Sequence, residues 1–267
     1  MTGIVCRLGW AVAIACCVVP VMAQACVKTV RWSESPPYAF KDSEGKLRGL
    51  HTELIREALR KMQCEPRFLE MPWARALHEL QAGRLDMLPG AADTEQRKEF
   101  AWFSKPTNSA RNVMLVRVDS RQKYRHARLA DLIGTDFRLA VRRGATYGEE
   151  YDALLEQPQF ASRLTFVASV KSGLQMMAAG RVEGMLVDEL TGILAIAEMG
   201  LGKVAHRSGL VTSTEADLVA FSKATTDKAF VDQFDAALGT MATDGSYRKL
   251  LERYMPCSVS VEKLGCR

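Results

Sequence analysis

The residues with the clearest chemical potential stand where apolar runs end. In DMLPGAADTEQRKEFAWFS (Asp86 to Ser104), a short apolar run passes through a Pro-Gly loop into a Thr-Glu-Gln-Arg segment that reads as a brief helical turn. Arg97 thus stands just past a strand, where a planar guanidinium can hold a carboxylate through two parallel hydrogen bonds. The segment GATY (Gly144–Tyr147) also follows a strand and opens a helix. Gly144 allows close backbone approach, and free N–H groups at a helix start favour an anion. Asp188 ends another apolar run and could cap the helix ELTGILAIAEM that follows. Glu34 and Tyr38, in SESPPYAF, occupy the turn after the first strand.

Other chemistries lack their residues. There is no nucleophile elbow, no phosphate loop and no His-Glu-x-x-His pattern. His51, His78, His126 and His206 form no ligand spacing and read as surface residues. No metal centre and no cofactor is expected.

The elements that must position these side chains alternate. VKTVRW (Val27–Trp32) reads as a strand, and the stripe Leu50, Leu54, Ile55, Ala58, Leu59 and Met62 as a helix. PRFLEM is a second strand. A helix from Trp73 to Ala82 follows, with Pro72 before it and Gly83 after it, and RLDML is a third strand. This order implies a parallel sheet with helices on its faces. The second half echoes the first: LQAGRLDMLPGAAD at Leu80–Asp93 is answered by MMAAGRVEGMLVDE at Met176–Glu189. The strands FRLAVRR and LTFVA and the helices TYGEEYDALLE and KSGLQMMAAG precede that second copy. Two α/β lobes are expected. The first is residues 26–116 completed by 208–267, which supply one more strand and two helices; the second is residues 117–207. The chain then crosses twice, which makes a hinge. The ligand crevice is expected outside the carboxyl ends of the strands, between the lobes.

Bulk properties agree with an exported chain. Its 267 residues are 48% hydrophobic and 25% charged. The first 25 residues, with Arg7, an apolar core and small residues around Ala23 and Ala25, read as a cleaved signal peptide. Pro20 and the short span argue against a membrane anchor. Ala23 and Gln24 fit poorly before a lipid-modified Cys26. The formal charge of +5 falls by one with the signal, too mild and scattered for nucleic acid. Four cysteines remain: Cys26, Cys64, Cys257 and Cys266. An even number in an exported chain suggests two disulfides. Cys26 and Cys64 each precede a strand, and neighbouring parallel strands start side by side. That favours Cys26–Cys64, with Cys257–Cys266 stapling the tail.

Four fragments in order carry a family likeness: SPPYAFKDSEGKLRGLHTELIREAL, PWARALHELQAGRLDMLPGAADTEQRKEFAWFSKP, LAVRRGATY and AAGRVEGMLVDE. They resemble the bacterial extracellular solute-binding proteins of the polar amino-acid type, the periplasmic components of ABC uptake systems, with the type II periplasmic binding protein fold. The resemblance covers nearly the whole mature chain. It implies a periplasmic, monomeric, non-enzymatic protein that closes its hinge over an amino acid and delivers it to permease subunits. Arg97 would grip the α-carboxylate, with Gly144, Ala145 and Thr146 on its other side. Asp188 would take the α-ammonium, and Trp73 would stack on the ligand's side chain.

Some residues depart from the family pattern. Pro89, Gly90 and Ala92 replace hydroxyl residues before the arginine, Asp93 adds an acid, and Ser35 stands where a tyrosine is usual. A cationic ligand or a non-standard amine or carboxylate therefore stays open, with Glu34 and Asp93 as partners for positive charge. Two other functions share the fold: a ligand-sensing domain for a membrane partner, and a cyclohexadienyl or arogenate dehydratase-like enzyme.

Overall fold

A computed structural model describes residues 26–120 and 128–255. The expected signal segment, the Cys257–Cys266 pair and His126 lie outside them.

The first half is built as its periodicity predicts. Strand β1 (Cys26–Trp32) pairs in parallel with β4 (Cys64–Glu70) and touches β5 (Met87–Ala91). Between them run helices α1 (Leu50–Lys61) and α2 (Trp73–Gln81). A two-stranded hairpin, β2 (Phe40–Lys41) and β3 (Leu47–Arg48), leads into α1. It is too short to show an alternation. Gly49 joins it to α1 at φ 119°, and a Cβ there would lie 2.3 Å from the Tyr38 carbonyl oxygen. Only glycine lets the SPPYAF loop fold back this closely.

Past β5 come the short helix α3 (Glu95–Lys98), β6 (Ala101–Phe103) and the ten-residue β7 (Asn108–Arg117). The second half has β8 (Leu139–Arg142), α4 (Glu149–Leu155), α5 (Pro158–Ala161) and β9 (Leu164–Val167). Next are α6 (Val170–Ala178), β10 (Gly184–Asp188) and α7 (Glu189–Glu198). Strand β11 (Ala205–Ser222) and helices α8 (Lys228–Thr243) and α9 (Ser246–Tyr254) close the described chain. The strand order is β4-β1-β5-β11-β7-β10-β8-β9, with β6 also on β11.

Alternation along each strand divides the packing. In β5, Met87 faces the core with α1 and α8, while Leu88 faces the core around Trp73 and Leu80. In β7, Val113 and Leu115 join one second-half core, and Met114 and Val116 join the other. Period-2 side chains buried on both faces are what a sheet sandwiched by helices requires. Each fully buried Leu, Ile or Phe contributes about 1.5–3 kcal/mol relative to exposure.

β11 differs from expectation in length. The sequence shows a strand only from about Ala216, because HRSGLVTSTE is polar and lacks alternation. The structure extends it back to Ala205, since this stretch is held mainly by its ladder to β7, with Ala205 and Leu210 its buried side chains before Asp217. Its far end pairs with β5 and β6. β7 and β11 therefore carry the chain between the two sets of strands.

Cys26 and Cys64 are register partners in the β1–β4 ladder and form a disulfide, with Cα atoms 4.5 Å apart and a sequence separation of 38. Replacing both with serine is expected to lower unfolding stability by about 2–4 kcal/mol. Urea denaturation of oxidised protein checks this; a change within about 0.5 kcal/mol would show that the bridge adds nothing beyond the ladder.

Candidate functional site

The carboxyl ends of β1, β5, β8 and β10 converge on a cavity of about 130 Å³. Arg97 reaches it from α3, whose first turn is organised by Thr94: the threonine hydroxyl accepts from the Arg97 N–H at 3.4 Å. The Arg97 side chain is buried, with Nη1 donating to the Ala92 carbonyl at 2.9 Å and Nη2 to the Gly144 carbonyl at 3.1 Å. Burial lowers its pKa, and the nearby Arg142 charge works in the same direction. Trp73, the first residue of α2, also donates from Nε1 to the Gly144 carbonyl at 3.0 Å. The second-half loop is thus tied to two first-half side chains through one carbonyl oxygen.

The GATY segment does not act as a helix start. Gly148, at φ 105°, extends the chain, and α4 begins only at Glu149. The Ala145 N–H donates to the Arg142 carbonyl, and the first turn of α4 holds Glu149, Glu150 and Asp152. It is the Gly144 carbonyl, not a row of free amides, that meets the other half. Ala145 and Thr146 line the cavity, and the Thr146 hydroxyl donates to Asp152 at 2.6 Å.

Asp188 ends β10 and does two things at once. Its Oδ1 accepts from the Thr191 N–H at 2.9 Å, capping α7, and its Oδ2 accepts from the Tyr38 hydroxyl at 3.3 Å. Burial pushes its carboxyl up to about 6 and Asp217 adds to the rise, against the hydrogen bonds from Thr191 and Tyr38. Tyr38 is buried and stacks on His51, with ring centres 4.7 Å apart. Ser35 and Thr191 make another hydroxyl contact across the cavity at 3.4 Å.

Of the other expected residues, Gly90 and Ala92 line the cavity. Gly90 sits at φ 75°, where a Cβ would press on the His51 ring at 3.2 Å. Glu34 is exposed and outside the lining, and Asp93 faces solvent beside Lys98 at 3.3 Å. Both acids lie on turns whose side-chain direction no sequence period fixes.

Several lining residues went unread in the sequence. His51, expected on the surface, is buried and pairs through Nε2 with Asp217 Oδ2 at 3.1 Å, while Asn108 Nδ2 donates to the same carboxylate oxygen at 3.0 Å. His51 falls on the apolar face of α1, a signal that was present. Arg31 is buried near the end of β1, and Arg142 is the last residue of β8. The rule that crevices lie at strand carboxyl ends could have found both. Burial, then the Arg142 charge, lowers the Arg31 pKa to about 9. Among the described residues, no cluster of three His, Cys, Asp or Glu side chains is arranged to hold a metal ion, and no helix is long and apolar enough to cross a membrane.

A small-ligand cavity at the strand ends of two helix-flanked sheets, joined by two long strands, defines a two-lobed solute-binding protein. The chain belongs to the bacterial extracellular solute-binding proteins, family 3, whose family model matches residues 29–256. An arginine-binding periplasmic protein of Mannheimia haemolytica is 22% identical over 245 residues, covering 90% of this chain and 94% of its own. A solved histidine kinase sensor domain with similarity to periplasmic binding proteins superposes with a TM-score of 0.75 at 22% identity, over 87% of this chain and 96% of its own. An ancestral arginine-binding protein bound to arginine gives the same TM-score and identity, over 87% and 99%.

Asp188 generates a pH prediction. The folded chain keeps this proton up to about pH 6, while the unfolded chain releases it near 3.8. Its contribution to stability is therefore present at low pH and lost as pH rises between those values. Asp188→Asn removes the loss, so the variant should gain about 2–3 kcal/mol on the wild type between pH 4 and pH 7. Urea titrations at four pH values check this; a constant difference would place the Asp188 titration at its ordinary value.

Proposed function

We propose that this protein captures an amino acid between two lobes in the periplasm and delivers it to an ABC permease. The observation that carries the reading is the division of charge in the cavity: Arg97 faces it from one half, and Asp188 from the other. In this reading the α-carboxylate lies on Arg97 beside the 144–146 loop. The α-ammonium lies on Asp188 and the Tyr38 oxygen, and Trp73, Gly90 and Ala92 flank the ligand. A zwitterion then neutralises one charge from each half on closure, whereas an open cleft leaves both hydrated.

The expected lobe boundaries, after residues 116 and 207, fall near the far ends of β7 and β11; in this proposal the hinge lies instead where the crossing strands change partners, near residues 107–108 and 217–218. There β11 passes from pairing with β7 to pairing with β5. Glu189, buried at the start of α7, pairs with Arg111 of β7 and Arg207 of β11, which stiffens the hinge on the second-lobe side. Export and monomeric function complete the proposal; the Cys26–Cys64 bridge supports an oxidising compartment.

A thermal-shift screen of oxidised, ligand-stripped protein against the standard amino acids tests the reading. A ligand at about 100 times its Kd should stabilise by about 2.7 kcal/mol. Arg97→Ala should weaken that ligand by roughly 30-fold or more. An unchanged affinity in Arg97→Ala, or no response to any amino acid, would count against the assignment.

A further inference from the structure

The cationic end of the cavity holds more charge than one carboxylate can answer. The guanidinium carbons of Arg31, Arg97 and Arg142 lie 5.4, 5.7 and 4.7 Å from the centre of the Trp73 ring. They arrive from three elements, β1, α3 and β8, and all three side chains line the cavity. Among the described residues none of the three forms an ion pair. Arg31 donates to the Met71 carbonyl at 3.1 Å and to the Ser33 hydroxyl. Arg97 uses the Ala92 and Gly144 carbonyls. The Arg142 guanidinium bonds to no described residue, and its buried Nε has no partner.

The acids of the cavity do not fill this need. Asp217 is engaged by His51 and Asn108, and Asp188 by Thr191 and Tyr38. Asp152, outside the lining, and Glu215, within it, favour the Arg97 charge through space, but among the described residues neither forms an ion pair. Contact with an indole face offsets part of the cost of a desolvated guanidinium, yet three like charges around one ring repel each other. An apolar ligand tail leaves the Arg142 Nε orphaned, a neutral amide satisfies that donor but leaves the excess charge, and a cationic tail adds a fourth positive charge. A second acid group satisfies the donors and cancels the excess.

Building on the amino-acid reading above, we propose that the ligand is an α-amino acid whose side chain ends in a second acidic group, held by Arg142 and Arg31 beside Trp73. Arg97 and Asp188 keep the α-groups, so Arg142 and Arg31 become the residues that determine specificity. The arrangement differs from what arginine, the ligand named for relatives of this chain, would need at its tail.

Isothermal titration of the oxidised protein with L-glutamate, L-aspartate, L-glutamine, L-asparagine, L-arginine and glutarate tests the proposal, with Arg142→Gln and Arg31→Gln in parallel. The wild type should prefer at least one acidic amino acid over its amide by about tenfold or more, and Arg142→Gln should weaken that acid by roughly 30-fold or more. Wild-type selectivity decides even if a variant fails to fold. Amide or arginine binding as tight as the acids would overturn the second acidic group while leaving the amino-acid reading intact. Glutarate binding without any amino acid would overturn both. Acid preference that survives in both variants would remove Arg142 and Arg31 from the site.

Discussion

The backbone ladder between β7 and β11 is the constraint on which the rest of the structure depends. Polar residues from His206 to Glu215 have little to bury, so this stretch is extended because β7 supplies its hydrogen-bond partners. The same strand then turns to β5 and β6, and its apolar end, Val219 to Phe221, enters the first-half cores. One continuous element therefore sets the distance and angle between two sets of strand ends. Arg97 and Asp188 face one cavity only because that distance is set.

Electrostatics at the cleft follow from this placement. Three charged groups in the cavity sit at or next to the carboxyl end of a strand, each directly after a buried valine: Arg142 after Val141, Asp188 after Val187, Arg31 after Val30. Packing holds the backbone rigid, so the charges cannot retreat into water without moving a strand. Burial then shifts their proton affinities, upward for Asp188 and downward for Arg31 and Arg97. Groups perturbed in this way, facing one another across a cleft, are suited to a ligand that supplies the missing counter-charges.

Contacts across the cavity are few and polar. The Gly144 carbonyl receives Arg97 and Trp73, the Tyr38 hydroxyl reaches Asp188, and Ser35 meets Thr191. Net hydrogen bonds of this kind are worth about 0.5–1.5 kcal/mol each. A small-molecule ligand can compete with such contacts, whereas a large apolar interface would lock the halves together.

Much of this protein was legible before any coordinates. Hydrophobic periodicity placed α1, α2, β1, β5 and β10, because a period of 3.6 or 2 reports directly which face is buried. Strand starts placed Cys26 beside Cys64, and the echo around Gly83 and Gly180 exposed the repeated architecture. Arg97 and Asp188 stood out where apolar runs end, and Trp73 entered only through the family resemblance; all three line the cavity. Only the tertiary structure decided which side chains share the cavity. It brought in Arg31, Arg142, His51 and Asp217, left Glu34 and Asp93 in solvent, and turned the Gly144 loop so that its carbonyl faces Arg97. Those outcomes depend on residues far apart in sequence meeting at strand ends. Periodicity along a chain records burial, but carries no information about which distant partner a buried charge will face.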